Sequence, residues 1–272
     1  SDLRMIYRAI SEARMMSNFH VYNTEVRYKE NLQQIILDED IRTVYQPIVE
    51  TKTGDIFSYE ALSRGPQETE FFNPLFLFEV AKDSELLFEL DNVCRKKAID
   101  NAVAIDPNLK LFINALPSTI HEPSFRDEYL QEFLKKYNLK AENLVFEITE
   151  SLAIQNYETF MEDIRSYTDL GYQIALDDTG TGYSSFETIL RIKPHYIKID
   201  ITMIRNVDTD PLKQTMIRAL VNIAKSINAR SIAEGVETVS EYRQIMQLGV
   251  DFCQGYLFAK PGPPFPEVQK FV

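Results

Sequence analysis

Eight short runs rich in β-branched and aromatic residues alternate with longer amphipathic stretches from residue 43 onward. The stretches 158–170 and 212–227, which lie between the later runs, carry apolar residues at helical spacing. Eight strands with intervening helices predict an α/β fold of the TIM (β/α)8 barrel class, for which about 250 residues is typical. The predicted strands are residues 43–50, 56–63, 111–115, 144–149, 173–178, 196–200, 231–235 and 251–255.

The connection between the first two predicted strands breaks this alternation. It consists of the short sequence TKTGD at positions 51–55. A parallel crossover needs a dozen or more residues, whereas a short turn joins antiparallel neighbours. We therefore predict a modified barrel whose first strand runs antiparallel to the second.

Residues 1–40 differ in pattern from the rest of the chain and form a separate predicted segment. Apolar residues recur at helical spacing within 3–13 and again within 32–36, which predicts two helices. We expect this helical segment either to pack against the barrel domain of residues 41–272, or to act as a linker that carries a signal or dimerises. Because the sequence opens at Ser1 rather than at a methionine, we expect a longer protein with an upstream sensor domain.

The composition predicts a soluble globular protein with a sizeable core, since 44% of the 272 residues are hydrophobic. No apolar run approaches the roughly 20 residues that span a bilayer, and no secretory signal opens the sequence. We therefore expect a cytoplasmic protein without membrane contact from this segment. Cys94 and Cys253 are far apart in apolar segments, which predicts two reduced thiols.

The formal net charge of -12 argues against binding to a nucleic-acid polymer. That binding requires basic patches that neutralise phosphates, and the sequence contains no such cluster. A small phosphorylated ligand is compatible with the charge if bound cations reverse the local potential.

Polar residues stand at the C-terminal ends of seven consecutive predicted strands, from the second to the eighth. In a barrel these ends form one shared mouth, where catalytic groups gather. Each residue also has a local explanation, such as a helix N-cap or an ion pair with a nearby basic residue. Several carboxylates facing one cavity would nevertheless repel each other unless cations bind them or some stay protonated. The residues are Glu60, Arg64, Asn114, Glu147, Glu150, Asp177, Asp178, Lys198, Asp200, Glu234, Glu237 and Gln254.

The chemistry of these side chains narrows the choice of metal. None of the three histidines stands at a predicted strand end and the two thiols form no ligand motif, so a zinc site is disfavoured. Oxygen donors favour Mg²⁺ or Mn²⁺. Adjacent Asp177 and Asp178 suit two ions that activate water for in-line attack on a phosphodiester. Lys198 could steady the water, and Arg64 offers a planar fork for a phosphate oxygen.

Seven motifs occur in order between residues 41 and 262, namely EALSR, FINALP, FEITES, DDTGTGYSS, IKID, AEGVET and CQGYLFAKP. Their order and spacing resemble those of the EAL-domain cyclic-di-GMP phosphodiesterases. The resemblance implies hydrolysis of cyclic di-GMP to linear pGpG by a Mg²⁺- or Mn²⁺-dependent modified barrel that holds two ions. It also implies a homodimer formed through the helices after the fifth and sixth strands.

The resemblance further implies a role for individual positions of this chain. Lys198 would contact the attacking water, and Asp200 would sit beside it. The metal ligands would be Glu60, Asn114, Glu147, Asp177, Asp178 and Glu234; the catalytic residues Lys198, Glu234 and Glu60; the substrate-binding residues Gln46, Leu62, Arg64, Asp200 and Gln254; and the loop-ordering residues Glu150 and Glu237.

One position departs from the family pattern. The loop after the fifth strand usually reads DDFG in the family, whereas Thr179 replaces the phenylalanine here. Both aspartates remain, and Gly180 and Gly182 keep the turn flexible, so the implied ligand set is complete. We therefore expect an active enzyme whose loop closes more weakly or is regulated differently.

Two other functions are compatible with the sequence. A catalytically inactive receptor would bind cyclic di-GMP and pass a signal to an upstream domain or a partner. An unrelated barrel enzyme, such as a lyase, would use one metal with Lys198 as its base. Turnover measured with Mg²⁺ or Mn²⁺ distinguishes the phosphodiesterase from the inactive receptor. The number of bound metals distinguishes the two-metal phosphodiesterase from the one-metal lyase.

Overall fold

The computed structural model describes residues 24–103, 105–116, 128–149, 157–179 and 185–271. Its strands are β1 (Arg42–Glu50), β2 (Ile56–Arg64), β3 (Lys110–Asn114), β4 (Leu144–Thr149), β5 (Gln173–Thr179), β6 (Tyr196–Ile199), β7 (Arg230–Ala233) and β8 (Phe252–Cys253). They close a barrel in sequence order. The ladder from β2 to β8 is parallel throughout, and β1 pairs with β8 in the antiparallel direction. The predicted modified barrel is therefore confirmed.

Helices follow the strands along the chain. The predicted helices 158–170 and 212–227 each agree with the observed bounds to within one residue. Asp210 begins the second of these by accepting hydrogen bonds from two backbone N–H groups, and Pro211 follows as its first residue. The helices are residues 24–37 (α1), Pro74–Asp83 (α2), Leu87–Asp100 (α3), Glu128–Lys136 (α4), Tyr157–Asp169 (α5), Ser185–Ile192 (α6), Ile201–Ile204 (α7), Pro211–Ser226 (α8) and Val239–Leu248 (α9).

None of the described helices is both long and apolar enough to cross a membrane. The helical spacing predicted within 32–36 lies in α1, where Leu32 and Ile35 are buried. The other predicted N-terminal helix, 3–13, lies outside the described residues. Cys94 and Cys253 are both buried and free of a disulfide, as predicted.

The described residues fall into two compact units. One contains the described residues up to Arg42 together with Arg64–Val93, and in it the Tyr28 ring meets Phe76 edge to face at 5.1 Å. The other contains Thr43–Ser63 and the described residues from Cys94 onward, and it carries the barrel core. The predicted domain boundary at residue 40 remains a prediction.

The barrel has an apolar layer inside it and a larger core outside. Because side chains alternate along a strand, one set faces the interior and the other faces the helices. Phe57 packs against the interior set, where it stacks on Phe252 with ring centroids 3.9 Å apart. Burying one such side chain contributes about 1.5–3 kcal/mol. The interior layer consists of Ile48, Phe112, Val145, Ala175, Tyr196, Ile232 and Phe252.

Two strands end two residues earlier than the sequence predicts. β7 ends at Ala233 because Gly235 adopts a φ of 67°, in the left-handed region that interrupts a strand. β8 ends at Cys253, after which the chain turns, with the N–H groups of Phe258 and Ala259 donating to the Gly255 carbonyl. The residues just beyond these ends therefore stand where the barrel opens.

Candidate active site

Several of the predicted site residues form a polar layer inside the barrel, next to the apolar one. Six of them lie two positions after a residue of the apolar layer, and alternation directs both into the same interior. In β1, which runs the opposite way, Gln46 instead precedes Ile48 by two. The pairs are Phe112 with Asn114, Val145 with Glu147, Ala175 with Asp177, Tyr196 with Lys198, Ile232 with Glu234, and Phe252 with Gln254.

Lys198 lies at the centre of this polar layer. Its Nζ atom is 2.8 Å from Oε1 of Glu147, 2.8 Å from Oε1 of Glu234, 3.2 Å from Oδ1 of Asp177 and 3.4 Å from Oε1 of Glu60. The side chains of Lys198 and Glu147 are at most 1% exposed, so water screens their contact weakly. The structure thus brings together five of the predicted residues.

One ammonium group cannot neutralise the four carboxylates that surround it. Burial raises the pKa of Glu147 well above its ordinary value, and the charge of Glu60 adds to this. Burial and the charge of Asp177 likewise raise the pKa of Glu234. Burial alone would lower the pKa of Lys198, but the surrounding carboxylates raise it well above its ordinary value. The cluster is therefore short of positive charge, which a bound cation would supply.

The carboxyl groups of Glu60 and Glu147 both contact the Lys198 ammonium group, and each shifts the pKa of the other. Burial raises the pKa of Glu60, but the Lys198 charge and hydrogen bonds with Glu147 and Gln254 lower it below its ordinary value. The Oε2 atom of Glu147 is buried and receives no hydrogen bond from any described residue. Two carboxyl groups in contact must share a proton or a cation. This contact and the unpaired oxygen fit a divalent ion with oxygen ligands.

The end of β5 brings two adjacent aspartates to the same side. The register between β5 and β6 shifts between Leu176 and Thr179, and Asp178 adopts a φ of 55°. Neighbouring side chains in a regular strand face opposite sides. The register shift lets the side chains of the two aspartates converge. Oxygen atoms of Asp177, Asp178 and Glu234 lie within 4.8 Å of one another, so the three carboxylates could hold a cation.

Thr179, the departure from the family pattern, is fully buried at the end of β5. Its hydroxyl group donates to the carbonyl of Leu176 at 3.4 Å, and its own carbonyl accepts from the N–H of Asp200 at 3.3 Å. Residues 180–184 lie outside the described residues. The expected change in loop closure therefore stays a prediction.

Three amide side chains surround the Glu60 carboxylate. Gln254 Nε2 donates to Glu60 Oε2 at 2.6 Å and to Gln46 Oε1 at 3.0 Å. Gln46 Nε2 in turn donates to the carbonyl of Ala259 at 3.0 Å. Asn114 Nδ2 donates to Glu60 Oε1 at a long 3.5 Å. These contacts fix the orientation of the carboxylate and bring Gln46, Asn114 and Gln254 together beside Glu60.

Asp200 and Glu237 make structural contacts, the first within its own helix start and the second with another loop. Asp200 is the N-cap of α7, where its Oδ1 accepts from the N–H of Thr202 at 2.9 Å, in agreement with the local explanation available from the sequence. Glu237 binds the Arg205 guanidinium through two hydrogen bonds of 2.6 Å. Of the other predicted residues, Leu62 and Arg64 are partly exposed at the end of β2, and Glu150 lies outside the described residues.

The sequence interpretation missed Glu241, a buried carboxylate that contacts two loops of the mouth. One signal for it was present, because Thr238 and Glu241 have the T-x-x-E spacing of a capping box and form one at the start of α9. The contact of Glu241 with Asn206 joins distant segments, and no local pattern predicts it.

Replacing Glu147 by glutamine should stabilise the metal-free protein. The pKa of Glu147 is raised in the folded state, so its contribution to stability is complete below about pH 4.5 and is lost as the pH rises toward the folded pKa. In EDTA at about pH 8, the variant should have a higher melting temperature than wild type. Each kcal/mol of unfolding free energy corresponds to about 2–4 °C in melting temperature. The difference between the two proteins should shrink toward pH 5. A difference that stays constant with pH would contradict this prediction.

The closed barrel and its acidic mouth define the chain as a modified (β/α)8 barrel with a cluster of carboxylates at the C-terminal ends of its strands. A family model described as the EAL domain matches residues 29–261. The chain therefore belongs to the EAL domain family.

Two curated relatives illustrate this membership. The chain is 32% identical over 239 residues to the cyclic di-GMP phosphodiesterase PdeR of Escherichia coli. This match covers 86% of this chain and 36% of that protein. It is also 30% identical over 268 residues to an uncharacterized signaling protein of Caulobacter vibrioides. That match covers 95% of this chain and 33% of the other protein. The chain thus spans about a third of the length of these relatives.

Solved structures show the same fold. A standalone versatile EAL protein from Vibrio cholerae, in its c-di-GMP-bound form, has 33% identity and a TM-score of 0.72, covering 85% of this chain and 96% of that one. Klebsiella pneumoniae BlrP1, in a complex with manganese and c-di-GMP, has 27% identity and a TM-score of 0.73, covering 82% of this chain and 56% of that one.

Proposed function

We propose that this chain is a cyclic-di-GMP phosphodiesterase that hydrolyses one phosphodiester bond to give linear pGpG. The observation that carries the proposal is the cluster of four carboxylates around buried Lys198 in the mouth of an EAL-family barrel. The named Escherichia coli relative and the c-di-GMP-bound Vibrio structure support this substrate. The manganese complex of the Klebsiella protein supports Mg²⁺ or Mn²⁺ as the cofactor, and we propose two ions.

The ions would lower the pKa of a water molecule and offset the charge of the phosphate. Lys198 stays protonated among its carboxylates, holds the attacking water, and stabilises negative charge that develops on the phosphoryl oxygens. The water oxygen bonds to phosphorus and gives one proton to a carboxylate of the cluster, the bond from phosphorus to one 3′ oxygen breaks, and that oxygen takes up a proton to become a hydroxyl group. Gln254 keeps the Glu60 carboxylate in place during this step. The residues that would hold the ions are Glu60, Asn114, Glu147, Asp177, Asp178 and Glu234.

We propose that the substrate lies along the groove predicted from the resemblance. Gln46 and Gln254 are already joined to each other beside Glu60, which makes them suitable for contacts next to the reacting phosphate. Leu62 and Arg64 follow Glu60 on β2, and the guanidinium of Arg64 suits a phosphate oxygen. Asp200 precedes α7 at the end of the strand that carries Lys198.

A lyase that uses Lys198 as its base fits the site poorly. Such a base must be neutral to accept a proton. Although burial lowers the pKa of Lys198, the charges of Asp177, Glu147, Glu234 and Glu60 raise it well above its ordinary value. The lysine is therefore better suited to stabilising negative charge.

A hydrolysis assay on the purified chain tests the proposed function. With Mg²⁺ or Mn²⁺ we expect cyclic di-GMP to be converted to linear pGpG, and we expect EDTA to stop the reaction. Binding of cyclic di-GMP without turnover in both metals would contradict the proposal and favour the receptor function.

We also propose a homodimer formed through α6 and α8. Leu190 on α6 is 61% exposed, and on α8 Leu212 and Met216 are 68% and 43% exposed. The two residues of α8 are four apart and therefore lie on one face of the helix. Sedimentation velocity should show a dimer that Leu212→Glu converts to a monomer. A wild-type protein that remains monomeric at high concentration would contradict this.

We propose that residues 1–40 connect the barrel to an upstream sensor module. The relatives are about three times as long as the region they share with this chain, which leaves room for such a module.

A further inference from the structure

Glu241 is a buried carboxylate that the proposed reaction does not use. Its side chain is on α9, and the residue is 2% exposed. Its Oε1 atom accepts from the N–H of Asn206 at 3.0 Å, and its Oε2 atom accepts from the N–H groups of Glu237 at 3.1 Å and Thr238 at 3.0 Å. Burial raises the pKa of Glu241, but these backbone N–H groups lower it below its ordinary value. A charged carboxylate therefore holds three N–H groups.

These N–H groups belong to two loops that begin at the mouth. Asn206 follows the short helix α7, whose N-cap is Asp200. Glu237 and Thr238 lie in the loop that leaves β7 at Glu234 and leads into α9. Glu241 thus joins two loops. One starts at Asp200, a proposed substrate-binding residue, and the other starts at Glu234, a proposed metal ligand.

The same two loops also touch next to the site. A Cβ atom on Gly235 would lie 2.3 Å from the Ile201 side chain, so only glycine allows this approach. Gly235 has a φ of 67°, and Val236 beyond it is fully buried. Because the Gly235 backbone packs directly against the Ile201 side chain, a change in the separation of the loops would be transmitted to the adjacent Glu234.

A second connection between the loops is more exposed. Arg205 binds Glu237 through two hydrogen bonds of 2.6 Å, but the two side chains are 37% and 39% exposed. Lys213 Nζ donates to the carbonyls of Thr202 and Arg205 at 2.6 and 2.7 Å and so supports the same loop. Exposed ion pairs contribute little, whereas charge-assisted hydrogen bonds to buried groups are stronger. Glu241 is accordingly the dominant connection.

We propose that Glu241 is a positioning residue, which holds the loops after β6 and β7 together so that the Glu234 carboxylate stays beside Asp177, Asp178 and Lys198. This inference rests on the proposed function, because it gives Glu234 its role as a metal ligand. A purely structural alternative is that Glu241 only caps α9 through its reciprocal contact with Thr238.

The two explanations differ in what they predict for Mn²⁺ binding. Glu241→Gln removes the charge that holds three N–H groups, and Glu241→Asp keeps the charge but is too short to reach both loops. Thr238→Ala is the matched control, because it removes the hydroxyl that accepts from the Glu241 N–H and leaves the three backbone N–H groups on the carboxylate in place. All four proteins are first compared by thermal melting, so that affinities are measured on folded protein.

By calorimetry, both Glu241 variants should bind Mn²⁺ at least about 10-fold more weakly than wild type, a loss typical of groups that orient metal ligands. Thr238→Ala should bind Mn²⁺ within about twofold of wild type. In the hydrolysis assay the Glu241 variants should lose kcat more than they change KM for cyclic di-GMP. Wild-type Mn²⁺ affinity in both Glu241 variants, or an equal loss in Thr238→Ala, would overturn the inference.

The same measurements separate this inference from the proposed function. A wild-type chain that binds Mn²⁺ but does not hydrolyse cyclic di-GMP would contradict the function, while the affinity ratios would still test Glu241. A wild-type chain that binds no Mn²⁺ would contradict both.

Discussion

Replacing Glu60 by alanine should lower the turnover of cyclic di-GMP by at least about 100-fold, since even residues that only orient metal ligands change activity by about 10–100-fold. Glu60 contacts Lys198 and Gln254 in the polar layer, and we propose that it binds metal directly. Nucleotide affinity should change much less, because the proposed substrate contacts of Leu62 and Arg64 are left in place. Turnover and cyclic di-GMP binding, measured separately, check this prediction.

A matched control for this substitution is Glu50→Ala. Glu50 lies at the end of β1, opposite the mouth, where it accepts a hydrogen bond from Thr53. Its loss should leave turnover near the wild-type value. Glu60→Gln keeps the size of the side chain but not its charge, so it should resemble Glu60→Ala in turnover. If Glu60→Ala keeps near-normal turnover, the proposed ligand set is wrong.

Replacing Lys198 by methionine should both destabilise the metal-free protein and abolish most activity. The side chain is buried among four carboxylates, and methionine fills a similar volume without the charge. Removing one partner of a buried ion pair costs about 3–5 kcal/mol. Loss of a group that stabilises charge in the transition state costs about 10²–10³ in kcat. Chemical denaturation in EDTA and turnover in Mn²⁺ measure the two effects.

Lys110→Met provides the control for removal of a partly buried lysine. Lys110 begins β3 at the opposite end of the barrel, where its Nζ donates to the carbonyl of Glu142 at 2.6 Å. The variant should keep normal turnover and lose little stability.

Added Mn²⁺ should restore part of the stability of Lys198→Met, because the ions offset the same carboxylates. A Lys198→Met protein as stable as wild type in EDTA would contradict the account of the cluster.

The barrel and most of the polar layer were predictable because both follow from simple periodicities. The two-residue alternation of strands, combined with the shared mouth of a barrel, placed Glu60, Glu147, Asp177 and Glu234 together. The five-residue turn before β2 likewise predicted the antiparallel first strand. These features depend on local sequence, and the structure confirms the fold they imply.

Other features depend on contacts between distant segments and could not be predicted. The sequence suggested that Lys198 could contact a water molecule, but its complete burial depends on the convergence of carboxylates from the C-terminal ends of four other strands. The end of β7 was misplaced because the approach of Gly235 to Ile201 is visible only in three dimensions. Glu241 was missed because its contact with Asn206 spans 35 positions of the sequence.

Anomalous scattering from crystals soaked in Mn²⁺ tests the central claim most directly. We predict two Mn²⁺ peaks in the mouth, about 3.5–4 Å apart as in two-metal sites, within bonding distance of oxygens from Asp177 and its carboxylate neighbours. A mouth without a peak, in crystals that carry Mn²⁺ elsewhere, would contradict the claim that these carboxylates converge to bind metal.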